Sequence, residues 1–130
     1  MLWIVPAGFA QNERALDSFK PGAEYDNIHV MKIEEDSLQS TFVIWVKKSV
    51  KEHFHAEHTE NLIVLEGKAE MKLGDSVFVI SKGDYLNIPK GTPHAVLSVL
   101  SKKPLKVLSI QSPYFDGKDR VFVETKNKLK

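Results

Sequence analysis

From Asn27 onward, the hydrophobic residues fall into short runs with no helical period between them. Valine, isoleucine, phenylalanine, tyrosine and threonine dominate these runs, which is typical of β-strands. Glycine, aspartate, asparagine or proline punctuates the connections. The runs are IHVMKIEE, STFVIWVKK, EHFHAE, ENLIVLEG, KAEMKLG, SVFVIS, YLNIP, HAVLSVL, LKVLSIQS and RVFVET. Strands at this spacing predict an all-β protein built as an antiparallel sandwich or barrel.

Two of these runs, NLIVL after Glu60 and HAVLSVL from His94, have no consistently polar face. A strand that is buried on both sides lies between a barrel interior and a second sheet or subunit. The pattern therefore predicts a homodimer, although it identifies no interface residue.

The region before the strands is organised differently. A short segment from Gln11 to Phe19 has helical character, and Pro21 and Gly22 mark the loop that follows. We therefore divide the chain into an N-terminal extension (1–26), a barrel domain (27–125) and a basic tail (126–130). Residues 1–10 are apolar and have two interpretations, the end of a signal peptide or a first strand on the core. The first predicts an exported or periplasmic protein and the second a cytoplasmic one.

Composition narrows the function classes. The chain has 130 residues and a formal net charge of +1, so it has no general attraction to nucleic acid, and no segment is long enough to span a bilayer. The absence of cysteine excludes disulfides, thiolate ligands and thiol nucleophiles. Composition therefore indicates no nucleic-acid or membrane partner, and the partner that the function hypotheses below require is a small-molecule ligand or substrate.

Three of the five histidines fall within six positions, in the stretch HFHAEHTENLIVLEG. On a strand, His53 and His55 point to the same face, roughly 7 Å apart along the backbone. Burying two imidazoles on one apolar face is costly unless each nitrogen has a partner. A metal ion would provide that partner.

Two further residues complete a candidate ligand set. Glu60 begins an apolar strand and would supply an anionic oxygen, and His94 begins another strand after the turn IPKGTP. Such a set of imidazole and carboxylate ligands suits one divalent transition metal, Zn, Mn, Fe, Ni or Cu. The alternative is an empty pocket in which the same side chains bind one another and water.

At this point the sequence resembles the cupin superfamily, and in particular its small single-domain members. The first cupin motif is His-x-His, four residues, Glu, six residues, Gly, and it is matched by His53, His55, Glu60 and Gly67. The second is Gly, five residues, Pro-x-Gly, two residues, His, three residues, Asn, and its first four fixed residues are matched by Gly83, Pro89, Gly91 and His94. The resemblance covers roughly residues 25–112.

The chain departs from the cupin motifs at two positions. Lys47 stands where the first motif begins with glycine, and Ser98 replaces the asparagine of the second. Neither position is a metal ligand in the family, so the resemblance implies a metal held by His53, His55, Glu60 and His94. It also implies a jelly-roll β-barrel, which agrees with the strand pattern.

Other positions are candidates for contact with a ligand. Trp45, Tyr85, Ser98 and Gln111 are the substrate-binding candidates, whereas aromatic residues such as Trp45 are more often core. His58 is expected to be a solvated loop residue, with a role at the mouth of the pocket as the alternative. Arg120 is expected to pair with Asp119 at the surface or between subunits.

Two main functions remain open from the sequence, beside a weaker storage or scaffolding role in which the metal site only stabilises the barrel. One is a metal-dependent enzyme of dioxygenase or isomerase type. The other is a non-catalytic binding module for a sugar or an organic acid, with a bound metal. An enzyme that uses acid–base chemistry needs a titratable group beyond the ligands, and only Tyr85, His58 and Lys47 are nearby candidates. This shortage favours metal-centred redox chemistry or binding alone.

Overall fold

The computed structural model describes residues 13–124, which form ten strands and one turn of 3-10 helix at Leu16–Ser18. The strands are β1 Ile28–Glu35, β2 Ser40–Val46, β3 Val50–Phe54, β4 Thr59–Glu66, β5 Lys68–Leu73, β6 Ser76–Ser81, β7 Tyr85–Ile88, β8 His94–Val99, β9 Leu105–Ser112 and β10 Val121–Phe122. The predicted runs locate all ten strands.

The strands form two five-stranded antiparallel sheets. One sheet has the order β1-β2-β9-β4-β7 and the other the order β10-β3-β8-β5-β6. Strands far apart in sequence are therefore neighbours, because β9 lies between β2 and β4, and β8 lies between β3 and β5. This jelly-roll arrangement confirms the predicted all-β fold.

Alternation along β4 and β9 decides which side chains enter the barrel. On β4, Glu60, Leu62 and Val64 are buried, whereas the residues between them are only partly buried. Their partners in the register on β9 are Gln111, Ser109 and Val107. The first sheet thus presents lines of inward-facing residues that are polar at one end and apolar at the other.

The apolar end of this interior is the hydrophobic core. Its buried members are Val46, Leu62, Val64, Ala69, Met71, Ile80, Leu86, Ile88, Val96, Leu105 and Val107. Beside this core, the backbone at Gly67 passes close to Pro104. The φ angle of Gly67 is +84°, and an added Cβ would lie 2.7 Å from the Pro104 carbonyl oxygen. Only glycine fits such a close approach in this backbone conformation.

The segment before β1 packs on the outside of the first sheet. The Lys106 ammonium is buried and donates hydrogen bonds to the carbonyl oxygens of Leu16 and Phe19, at 2.8 and 3.1 Å. It also lies 5.7 Å from the centre of the Trp45 ring. The outward face of β2 is therefore covered as well as its inward face.

Several predictions fall partly or wholly outside this description. Residues 1–10, the candidate signal peptide or first strand, and the basic tail 126–130 lie outside residues 13–124. Within the described range, no helix is both long and apolar enough to cross a bilayer. The division into domains and the homodimer remain predictions.

Candidate metal centre

The four predicted ligands come from both sheets and meet at the polar end of the barrel interior. His53 on β3 is paired directly with His94 on β8, and His55 follows the end of β3. Glu60 approaches from β4 in the opposite sheet. All four side chains are buried. The jelly roll thus brings together residues that are up to 41 positions apart, from His53 to His94.

The imidazole nitrogens converge on one region. One ring nitrogen from each of His53, His55 and His94 lies within 4.8 Å of the other two, a spacing that could hold a metal ion. The Glu60 Oε2 atom lies 3.2 Å from His55 Nε2 and 3.3 Å from His94 Nε2. The carboxylate therefore lies beside the histidine group.

Backbone carbonyls fix the orientation of all three imidazoles. Nδ1 of His53 lies 2.7 Å from the Lys51 oxygen, Nδ1 of His55 lies 2.6 Å from the Asp119 oxygen, and Nδ1 of His94 lies 3.0 Å from the Thr92 oxygen. A carbonyl oxygen only accepts hydrogen bonds, so each Nδ1 carries a proton. In the neutral ring, Nε2 then offers its lone pair, which is the tautomer that a metal ligand needs.

Hydrogen bonding keeps the Glu60 side chain anionic. Burial would raise the pKa of Glu60, but hydrogen bonding from His55, the nearby His94 ring and the Ser109 hydroxyl together hold that pKa well below its usual range. The Ser109 hydroxyl donates to Glu60 Oε1 at 2.5 Å. The site therefore offers an oriented carboxylate as well as three imidazoles.

The pKa values of His53 and His55 are shifted in opposite directions. Burial lowers the pKa of His53 to about 4, so this ring is neutral at physiological pH. Burial would also lower the pKa of His55, but hydrogen bonding to Glu60 and to the Asp119 carbonyl outweighs it and raises that pKa. A cation that bound at His55 would therefore compete with a proton.

Two buried atoms support the fit of a metal to this site. Among the described residues, His94 Nε2 and Gln111 Oε1 are the buried side-chain polar atoms without a hydrogen-bond partner. The 3.3 Å approach of His94 Nε2 to Glu60 is close, but it lacks hydrogen-bond geometry. Buried polar atoms are rarely left unpaired, and an ion with a bound ligand would satisfy both. The residues present fit a divalent transition ion.

The site opens into a cavity of about 380 Å³. Its polar end holds the four candidate ligands with Ser109 and Gln111, and most of the remaining wall is hydrocarbon. The apolar lining comprises Ile28, Val30, Phe42, Ile44, Val46, Val50, Leu62, Met71, Ile80, Ala95, Val96, Leu105, Val107, Phe115 and Phe122. Such a volume and lining are typical of small-molecule sites.

The sequence family is settled by a match that spans both histidine motifs. The Cupin domain family (Cupin_2) matches residues 40–111, from the start of β2 to the cavity residue Gln111. This chain is a cupin. The family resemblance seen in the sequence is confirmed.

Two curated proteins illustrate the similarity of this cupin to known sequences. It is 38% identical over 99 residues to an uncharacterized protein of Aquifex aeolicus, covering 76% of this chain and 80% of that one. A shorter stretch of 43 residues is 44% identical to quercetin 2,3-dioxygenase of Bacillus subtilis, covering 33% of this chain and 13% of the enzyme.

A solved structure shares the fold. A Klebsiella pneumoniae protein with a double-stranded β-helix domain superposes with a TM-score of 0.71 at 17% identity, covering 88% of this chain and 98% of that one. At this level of identity the similarity is evidence for the fold alone.

Of the four predicted substrate-binding residues, this cupin brings one into the cavity. Gln111 lines it, and its Nε2 lies 3.4 Å from His55 Nε2. Trp45 points to the outer face of β2, where the N-terminal segment covers it. Tyr85 is 63% exposed and donates a hydrogen bond to Asn61, and Ser98 is outside the lining. This placement corrects the expectation that Trp45, Tyr85 and Ser98 face the cavity.

The expectations for His58 and Asp119 are also corrected. His58 is buried, with Nδ1 at 2.5 Å from Asp119 Oδ2 and Nε2 at 2.8 Å from the Tyr114 oxygen. The Asp119 carboxylate also accepts hydrogen bonds from the N–H groups of Ala56 and Glu57. Asp119 therefore anchors the loop between the ligands and forms no ion pair with Arg120 in the described part of the chain.

Four residues near the centre were missed by the sequence interpretation. Ser109 and Asp119 hold candidate ligands, whereas Phe115 packs edge-on against the His55 ring and Phe122 packs against the His53 ring. Ser109 could have been found from the alternation of β9, which places it on the Gln111 face. Nothing in the local sequence of the segment 113–122 signals that it folds over the site.

Proposed function

We propose that this cupin binds one divalent transition-metal ion through His53, His55, Glu60 and His94, and that it is an enzyme acting on a small organic molecule in the barrel cavity. The observation that carries the proposal is the convergence of one ring nitrogen from each of three histidines whose Nδ1 atoms are all held by backbone carbonyls. The mixed nitrogen and oxygen set suits Zn, Mn, Fe, Ni or Cu.

The protein itself orients the ligand side chains and excludes water from the cavity. The Ser109 hydroxyl fixes one oxygen of Glu60, and the carbonyl of Asp119 fixes the His55 ring. The hydrocarbon wall keeps bulk water away from a bound molecule, while the Gln111 amide offers it a hydrogen bond. A bound ion would supply Lewis acidity or, with iron or copper, redox chemistry.

Between the two reaction types, we favour a dioxygenase over an isomerase. Beyond the four ligands, the described part of the cavity lining has no buried acid–base group, because Lys51 is exposed and the Arg120 guanidinium does not deprotonate. The expected candidates Tyr85, His58 and Lys47 are not part of that lining. Isomerisation by proton transfer needs such a group, whereas metal-centred oxygen chemistry does not. The local similarity to quercetin 2,3-dioxygenase also supports this choice.

The second candidate is a binding module without catalysis, which would hold a sugar or an organic acid beside the metal. The same shortage of acid–base groups supports this alternative, because recognition needs only shape, apolar surface and a few polar contacts.

The test begins with protein purified without added metal. Elemental analysis is expected to find one transition ion per chain, and a sample with His53→Ala is expected to lose it. Oxygen consumption is then screened with small aromatic and aliphatic substrates if the ion is iron or copper. Bound zinc or nickel without oxygen uptake would favour non-redox chemistry or the binding module. A folded sample that takes up none of these ions would refute the proposal.

A further inference from the structure

Outside the candidate ligands, the cavity wall carries two charged side chains, and both are cations. Lys51 lies on β3, and Arg120 immediately precedes β10. Glu60 is the one carboxylate in the wall formed by residues 13–124, and its oxygens already face His55, His94 and Ser109. Both cations are exposed residues, so the cavity presents positive charge beside a mostly apolar wall to any molecule that enters.

Neither cation is neutralised by the protein. Within the described residues, no carboxylate oxygen lies within 4.0 Å of the Arg120 guanidinium or of the Lys51 ammonium. By contrast, Lys72 is paired with Glu52 at 2.6 Å on the neighbouring strands. Unpaired positive charge on the wall of an apolar cavity attracts anions and raises their local concentration.

The backbone of Arg120 is held in place on both sides. The preceding Asp119 is anchored by hydrogen bonds to His55, His58 and two backbone N–H groups. The following Val121 is paired with Phe54 on β3. A fixed backbone lowers the entropy cost of presenting a guanidinium, whose planar fork binds a carboxylate through two parallel hydrogen bonds.

We infer that the molecule recognised in this cavity is a small carboxylic acid with an apolar, ring-sized body. Its carboxylate is bound by Arg120, with Lys51 adding charge, and its body lies against hydrocarbon such as Phe42, Ile44 and Val96. The second polar end of the molecule faces the histidine group. The cavity volume of about 380 Å³ limits the size of the molecule that can bind. The inference rests on the proposed function, because the metal holds that second end.

The test uses two matched probes with metal-loaded protein, whose metal content is measured first. Protocatechuate carries a catechol at one end and a carboxylate at the other, and methyl protocatechuate differs only by esterification of the carboxylate. By calorimetry, the wild type is expected to bind the acid roughly tenfold more tightly than the ester. Arg120→Gln is expected to abolish this preference while leaving the affinity for the ester unchanged.

Two further variants sharpen the test. Lys51→Gln is expected to reduce the preference for the acid about threefold, since a lysine contributes charge without the planar fork. Lys118→Gln is the matched control, because it removes one positive charge from the same exposed segment but does not line the cavity. It is expected to leave the preference at its wild-type value.

The outcomes separate the inference from the proposed function. If the protein holds its metal but Arg120→Gln keeps the full preference for the acid, the substrate class is wrong and the metal site stands. The same conclusion follows if metal-loaded protein binds neither probe, or binds both equally. If no metal is taken up, the proposed function fails and this inference fails with it.

Discussion

His55 and His58 are three residues apart, and both are buried against the Phe115 ring. Both also form a hydrogen bond to Asp119. Their surroundings nevertheless differ at one ring nitrogen. In His58, both ring nitrogens face oxygen acceptors, from Asp119 and Tyr114. In His55, Nδ1 is held by a carbonyl and Nε2 faces the cavity beside Glu60.

This difference shows that burial alone does not identify a metal ligand. A histidine whose two nitrogens both face acceptors outside the candidate ligand set, as in His58, has a structural role. A histidine held through one nitrogen, with the other directed to a shared point, is prepared to bind an ion. The comparison leads to four predictions, which run from the largest expected effect to the smallest.

The most direct test of the comparison replaces each histidine in turn. His55→Ala is expected to weaken metal binding by more than about 100-fold, because it removes a proposed ligand. His58→Ala is expected to change metal affinity less than about threefold while lowering stability. Competition with a metallochromic chelator measures the affinities. Equal loss of metal from both variants would show that His55 and His58 do not differ as metal ligands.

A second test removes the anchor of His58 and keeps the anchor of His55. Asp119→Ala deletes a carboxylate that binds three partners, whereas the backbone carbonyl that holds His55 remains. We expect the free energy of unfolding to fall by about 1–3 kcal/mol, as measured by denaturant titration. The control Asp116→Ala loses one exposed hydrogen bond, to the Lys118 N–H, and should lose less than about 1 kcal/mol.

A third test concerns the support of the candidate metal ligand Glu60. Ser109→Ala removes the hydroxyl that orients Glu60, so metal affinity is expected to fall about tenfold with little change around His58. Ser112→Ala is the control, because Ser112 lies on the same strand but is not part of the cavity lining. Unchanged affinity in Ser109→Ala would show that Glu60 needs no such support.

The smallest expected effect is a change of stability in acid. Burial would raise the pKa of Asp119, but the hydrogen bonds from His58, Glu57 and Ala56 outweigh it and lower that pKa from 3.8 to about 2. This carboxylate therefore stabilises the fold fully above pH 3.8, and its contribution is lost as the pH falls toward about 2. The difference in unfolding free energy between the wild type and Asp119→Ala should narrow across that interval. A constant difference would assign the stabilisation to some other group.

Much of the fold could be predicted because strand signals are local. Alternation and turn residues located all ten strands, and the bounds of Ile28–Glu35, Ser76–Ser81 and Leu105–Ser112 agree with the predicted runs. The histidine motifs also indicated four side chains that the structure brings together. Their spacing reflects a requirement of the barrel, in which neighbouring strands must present residues to one point.

The features that the sequence did not predict depend on contacts between distant parts of the chain. Asp119 holds His55 from 64 positions away, and no local pattern encodes that contact. Trp45 was misplaced for a similar reason, since both faces of β2 are buried and alternation cannot tell which one lines the barrel. The outer face is apolar because Phe19 and its neighbours pack there.

The adjacency of Asp119 and Arg120 has a consequence for how this loop can diverge. One residue fastens the loop and the next presents the charge, so a residue inserted between Asp119 and Arg120 would displace either the carboxylate from its three partners or the cation from the cavity wall. Homologues and engineered variants that acquire new ligand preferences should therefore keep the loop length and change the side chain at position 120.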